Sequence, residues 1–147
     1  MEAYLMAFGY PGLFAASFLA ATLIPLGSEV AVVALSAAGL DRMGVLSVAT
    51  AGNVMGSAVN YGLGRWGGRW LFARFSAGEK KRIERAFRAA SRWGAPMLFF
   101  AWLPLVGDPL TVAAGLLRVQ PLLFLFWVTL GKALRYWLIL EGIRMLP

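Results

Sequence analysis

The sequence contains 25-PLGSE-29 and 104-PLVGD-108, two Pro-Leu-x-x-acid stretches lying inside long apolar runs. A carboxylate at membrane depth costs roughly 2.5–3.5 kcal/mol on insertion scales, so Glu29 and Asp108 are expected to be protonated, paired or facing water. Groups held this way suit proton uptake and release. Two cations, Lys132 and Arg135, stand one helical turn apart in 122-LLFLFWVTLGKALRYWLIL-140. They would neutralise the two acids or hold an anionic group such as a phosphate. The chain has no cysteine and no histidine. That removes thiol nucleophiles, disulfides, thiolate or imidazole metal sites and imidazole acid-base chemistry. Ser28 stands beside Glu29 without a histidine to activate it, and no oxyanion partner is visible. The expected site is one of binding and charge coupling, with no catalytic residue, metal or cofactor.

The elements that must carry these groups follow from composition. Of 147 residues, 60% are hydrophobic and 14% charged, whereas soluble domains carry about 25% charged residues. The apolar residues gather in runs around 3–24, 30–40, 43–64, 95–117 and 122–140. Lipid admits only helices or closed barrels, and the alternating strands of a barrel are missing, so an all-α integral membrane fold is expected. No Lys or Arg precedes Arg42, so the N-terminus lacks the basic start of a cleaved signal peptide and reads as part of the mature chain.

The net charge of +7 is local: residues 65–92 hold nine cations against two carboxylates, and the rest of the chain is balanced. A short basic loop between membrane segments belongs on the cytoplasmic side. No aromatic-interleaved module accompanies the charge, so nucleic acid is not an expected partner. Within the loop, Ser76 and Glu79 have capping-box spacing. Ile83, Ala86, Phe87, Ala90 and Trp93 share one face, and Gly94 with Pro96 ends the pattern. This predicts an amphipathic helix lying on the membrane surface.

The run from Val30 to Leu40 would span only about 16 Å as a helix, against roughly 30 Å of hydrocarbon. It either continues residues 8–24 with a kink or belongs to a re-entrant hairpin turning at Pro25 and Gly27. The second half repeats the design at Pro104, Gly107, Asp108 and Pro109. A gapless shift of 79 residues superposes Pro25-Leu26 on Pro104-Leu105, Gly52 on Gly131 and Arg65 on Arg144. It gives 10 identities over positions 16–65, about twice what chance supplies in so apolar a composition. Two repeats are therefore expected (8–64 and 94–142, joined by a linker helix in 65–93), each a re-entrant hairpin followed by a transmembrane helix. With the linker inside, the first hairpin dips from outside and the second from inside, an inverted pair bringing Glu29 and Asp108 together from opposite sides. Residues 3–24 fit either a complete span or a surface helix followed by half a hairpin. On span 43–64, Gly52, Gly56, Asn60 and Gly64 recur every fourth residue, a small-residue face for close packing, with Asn53 nearby as a polar contact.

At 18-FLAATLIPLGSEV-30, 52-GNVMGSAVNYGLGR-65, 102-WLPLVGDPLTVAAGLLR-118 and 131-GKALRYW-137, the chain resembles the DedA family, also called the VTT or SNARE-associated Golgi protein family, in its small YqaA-like branch. The resemblance implies two facing re-entrant helices. It also implies a role in membrane homeostasis through movement of anionic lipids or lipid phosphates, often proton-dependent, in a bacterial inner membrane. The wider family usually has an acid where this chain has Ala20 and an arginine pair near Ala101 and Gly107. Of that pattern Glu29 carries over, and Lys132 and Arg135 stand as replacement cations. The leading expectation is a transporter, flippase or scramblase of an anionic lipid, with membrane lipids and protons as partners and room for a homo-oligomer. The alternative is a non-transporting membrane factor that assists protein or lipid assembly, its charges purely structural.

Overall fold

The computed structural model describes residues 2–22, 27–103 and 106–146. Pro25 and Pro104, expected at the hairpin tips, lie outside the described residues. Among the described residues there are only helices, in the order α1 (Glu2–Thr22), α2 (Gly27–Ala37), α3 (Arg42–Phe72), α4 (Ala77–Trp93), a 3-10 segment (Ala95–Trp102), α5 (Gly107–Leu116) and α6 (Pro121–Met145). The 25 residues of α6 are long and apolar enough to cross a membrane. By contrast α2 and α5 have eleven and ten residues, about 16 and 15 Å.

The segments that precede α2 and α5 are unlike. α1 keeps Pro11 inside one continuous helix of 21 residues, about 31 Å long. Before α5 stands the eight-residue 3-10 segment, where Gly94 at φ 74° and Pro96 at the start break the helix that precedes it. α3 also runs further than the apolar run, past Arg65 to Phe72. Its change of direction comes at Gly68, whose φ of 47° and ψ of −135° interrupt the helical path.

The chain forms two compact units, residues 1–56 with 132–147 and residues 57–131; α3 and α6 each contribute to both. In the first unit, Leu13, Val32, Leu40, Val45, Ala49, Tyr136 and Leu140 form one buried cluster. In the second, Leu98, Leu110, Ala113, Ala114, Phe124 and Val128 are buried. Gly64 faces the Val112 carbonyl there and Gly115 faces the Tyr61 carbonyl, so α3 and α5 meet backbone to backbone with no room for a Cβ on either side.

The turns after α2 and α5 share one hydrogen-bond pattern. After α2, the N–H groups of Ala38, Gly39 and Leu40 donate to Ala34, Ser36 and Leu35; after α5, those of Leu117, Arg118 and Val119 donate to Ala113, Gly115 and Ala114. Every donor and acceptor in the second set stands 79 residues after its counterpart in the first. Both turns place the second residue after the helix in the left-handed region, Gly39 at φ 86° and Arg118 at φ 54°. This is the Schellman solution to a helix C-terminus, with the six-to-one bond made by Leu40 and Val119. Asp41 then accepts from the Gly44 N–H at 2.8 Å to start α3, and Pro121 starts α6, where a missing N–H does no harm.

The linker helix forms with its capping box complete. The Ser76 N–H donates to the Glu79 carboxylate at 2.7 Å, and the Glu79 N–H donates to Ser76 Oγ at 3.3 Å. Its apolar face is divided. Ile83, Ala86 and Ala90 are buried where α4 packs on α5 and the 3-10 segment, whereas Phe87 and Trp93 remain 39% and 65% exposed. Three of the five residues read as a lipid-facing stripe are thus covered by protein. Protein and lipid interiors are both apolar, so periodicity alone does not separate them.

Gly115→Ala is expected to lower the melting temperature in detergent, with a cost of about 1–3 kcal/mol from overpacking. Gly78→Ala, in α4 with nothing near its added methyl, should instead stabilise by about 0.4–1 kcal/mol. The Ser76 backbone N–H, and secondarily its hydroxyl, hold the Glu79 carboxyl below the ordinary glutamate range. Because the folded pKa is the depressed one, this contribution is present above the unfolded pKa and is lost as the pH falls through the folded value. Amide exchange in the first turn of α4 should accelerate over that acidic window, and Ser76→Ala, costing about 0.5–2 kcal/mol of cap, should accelerate it at neutral pH.

Candidate functional site

Three elements of the first unit converge on a polar cluster. α2 presents Ser28 and Glu29 in its first turn, where the helix dipole favours a carboxylate. α6 presents Lys132, Arg135 and Tyr136, spaced so that all three share one face. α3 presents Asn53, beside a stretch where Gly52 lies against the Phe14 carbonyl and Gly56 against the Phe18 carbonyl of α1.

The Arg135 guanidinium forms an ion pair with the Glu29 carboxylate, their side chains 13% and 35% exposed. Beside it runs a buried chain of hydrogen bonds. Lys132 Nζ donates to Asn53 Oδ1, Asn53 Nδ2 donates to Tyr136 Oη at 2.8 Å, and Tyr136 Oη donates to Ser28 Oγ at 2.9 Å. The direction follows from the lysine. An ammonium has donors only, so Asn53 must turn its carbonyl toward it and its amide toward Tyr136. The tyrosine hydroxyl accepts that amide proton and sends its own to Ser28. Lys132, Asn53 and Ser28 are 3%, 4% and 1% exposed and Tyr136 is fully buried.

The contacts within this unit are of two kinds. Arg135 holds Glu29, while the bond that fixes Lys132 within this unit runs to an amide. Asp108 belongs to the second unit, in the first turn of α5, where its backbone carbonyl accepts the Thr111 hydroxyl at 2.7 Å. Also in that unit, Gly107 lies against the Ala101 carbonyl and Gly131 against the Phe99 carbonyl. Pro109 falls in the first turn of α5, and Asn60 is 7% exposed and has a partner. Two members of the network, Ser28 and Tyr136, escape a reading based on charge. Their signal is adjacency, Ser28 before Glu29 and Tyr136 after Arg135 and four residues beyond Lys132. A second ion pair, Arg42 with Glu141, ties the start of α3 to the end of α6 in the same unit; nothing in local spacing announces it.

Among the described residues, an all-helical fold with one helix long and apolar enough to cross a membrane and an internal network of charges is consistent with a helical membrane protein. The chain belongs to the VTT domain family, whose profile matches residues 24–141, in agreement with the DedA resemblance carried by its motifs. It is similar to the inner membrane protein YqaA of Escherichia coli K12, 41% identical over 125 residues that cover 84% of this chain and 83% of that one. The Shigella flexneri protein of the same name gives the same figures. An uncharacterized protein of Haemophilus influenzae is 36% identical over 132 residues, covering 84% of this chain and 80% of its own. No solved structure matches.

Tyr136→Phe keeps the ring and removes the hydroxyl between Asn53 and Ser28. It should destabilise the detergent-solubilised protein by about 1–3 kcal/mol, the cost of leaving buried polar groups unsatisfied. In a double-mutant cycle with Glu29→Gln and Arg135→Gln, a coupling of about 1–3 kcal/mol is expected. This lies below the cost of breaking a fully buried pair because the Glu29 side chain is 35% exposed.

Proposed function

We propose that this protein is a bacterial inner-membrane transporter, flippase or scramblase of an anionic lipid or lipid phosphate, in which Glu29 and Asp108 exchange protons and Lys132 and Arg135 attract the phosphate. The observation that carries the reading is the buried ionic and hydrogen-bonded network of α2, α3 and α6. Ionisable side chains in membrane segments are rare and mark substrate or proton pathways. The inner-membrane relatives support the location, and the nine cations of residues 65–92 support a cytoplasmic linker.

The reading includes two inverted repeats with re-entrant hairpins around α2 and α5. Both helices are about half a bilayer long, and the hydrogen bonds that end them recur at a shift of 79 residues. Asn53 and Lys132 add a second line of support. They are equivalent positions in the two repeats, and they hydrogen-bond to one another across a separation of 79. In a two-fold arrangement, equivalent residues touch only at the axis, and in inverted-repeat transporters that region is the substrate site.

Lipid movement is proposed as a non-enzymatic activity. Ser28 is 1% exposed and its oxygen accepts from Tyr136, which supports a structural part for it. A second reading is favoured by the continuity of the same network: a non-transporting assembly factor in which the charges only hold helices together.

Reconstituted into proteoliposomes, Glu29→Gln and Asp108→Asn should each abolish or strongly reduce translocation of a fluorescent anionic lipid and alter its pH dependence, by more than the accompanying fall in melting temperature accounts for. Translocation unchanged at every pH removes the transport reading. Activity lost only in step with stability transfers the charges to the assembly reading.

A further inference from the structure

Outside the charge network, the second unit holds a half-open groove of about 350 Å³ between α4, the 3-10 segment and α5. Its floor is apolar, with Met97, Val106, Pro109 and Leu110, and its rim carries Arg82 and Arg85. The two arginines are three residues apart on one face of α4, both exposed, and among the described residues neither enters a salt bridge. Glu79, whose carboxylate feels Arg82, is engaged by the Ser76 cap.

Depth comes from a separate set of residues. Trp66, Trp70 and Trp93 are 79%, 63% and 65% exposed, and each carries a guanidinium near its ring, Arg65 at 6.0 Å, Arg74 at 4.3 Å and Arg92 at 5.4 Å. Exposed tryptophan belongs at the membrane–water interface, and arginine stacked on it keeps its charge among headgroups. These pairs occur on both approaches to α4, the pattern expected of a helix lying at headgroup level.

We propose that this groove binds an anionic phospholipid of the cytoplasmic leaflet, its phosphate on Arg82 and Arg85 and the start of an acyl chain on the apolar floor. A soluble anion would satisfy the guanidiniums and leave the floor wet; an apolar peptide would cover the floor and leave the guanidiniums unanswered. A phospholipid meets both, and paired arginines match phosphate geometry. This site requires only that α4 face the cytoplasmic leaflet and stands whether or not the protein translocates lipid.

The test is native mass spectrometry of the full chain in detergent, titrated with phosphatidylglycerol, phosphatidylcholine or inorganic phosphate. A phosphatidylglycerol adduct should persist where phosphatidylcholine does not. Arg82→Gln/Arg85→Gln should weaken it by about tenfold, the loss of charge-assisted hydrogen bonds. Lys81→Gln/Arg88→Gln removes the same charge from the same helix and should change it by less than about twofold. Ala89→Phe fills the groove, leaves every charge in place and should remove the adduct, with circular dichroism showing that each variant keeps its helices. Equal weakening in both double variants would reduce the effect to diffuse surface attraction and overturn the site. So would a lipid adduct that survives Ala89→Phe, or inorganic phosphate binding as tightly as the lipid.

Discussion

Lys132 holds an ammonium 3% exposed in a helix long and apolar enough to cross a membrane. No lipid tail offers it a hydrogen bond, so the chain has to supply acceptors at fixed positions. That requirement propagates. Asn53 can answer the lysine only if α3 comes close to α6, and the same stretch of α3 packs on α1 with Gly52 and Gly56 against its carbonyls. The amide then dictates what Tyr136 accepts and what Ser28 receives, fixing the first turn of α2 against α6. Packing in this unit serves the polar contacts as much as the reverse, because side chains larger than hydrogen at positions 52 and 56 would push α1 and α3 apart.

Glu29 is held differently. Glu29 gains from the α2 dipole and from Arg135, two contributions that act together because α2 begins just before it. Its carboxylate is partly open to its surroundings, with the Arg135 guanidinium as its ion-pair partner.

How much of this the sequence reveals depends on the range of the interaction. The α4 capping box is legible because Ser76 and Glu79 are three residues apart and the cap is made by those two residues alone. Half-length α2 and α5 are legible because apolar runs have lengths and proline and glycine interrupt them. The left-handed turn at Gly39 has its usual residue, while its counterpart uses Arg118, which no turn rule would select. Pairings such as Arg42 with Glu141 or Tyr136 with Ser28 join residues about a hundred positions apart. Spacing carries no trace of them, and charge balance shows only that partners exist. The burial of Ile83, Ala86 and Ala90 escapes for another reason: an apolar stripe records what its surroundings lack, and lipid and protein lack the same thing.

The hydrogen bond between Asn53 and Lys132 has a historical consequence under the two-repeat reading. In an ancestral homodimer of separate half-length chains, one gene would supply both residues on the axis, so two lysines would repel there or two asparagines would face each other without charge. Joining the copies into one gene lifts that restriction and lets one side become an amide and the other an ammonium. A mixed contact at an axis is therefore available, on that reading, only once the two copies can differ in sequence.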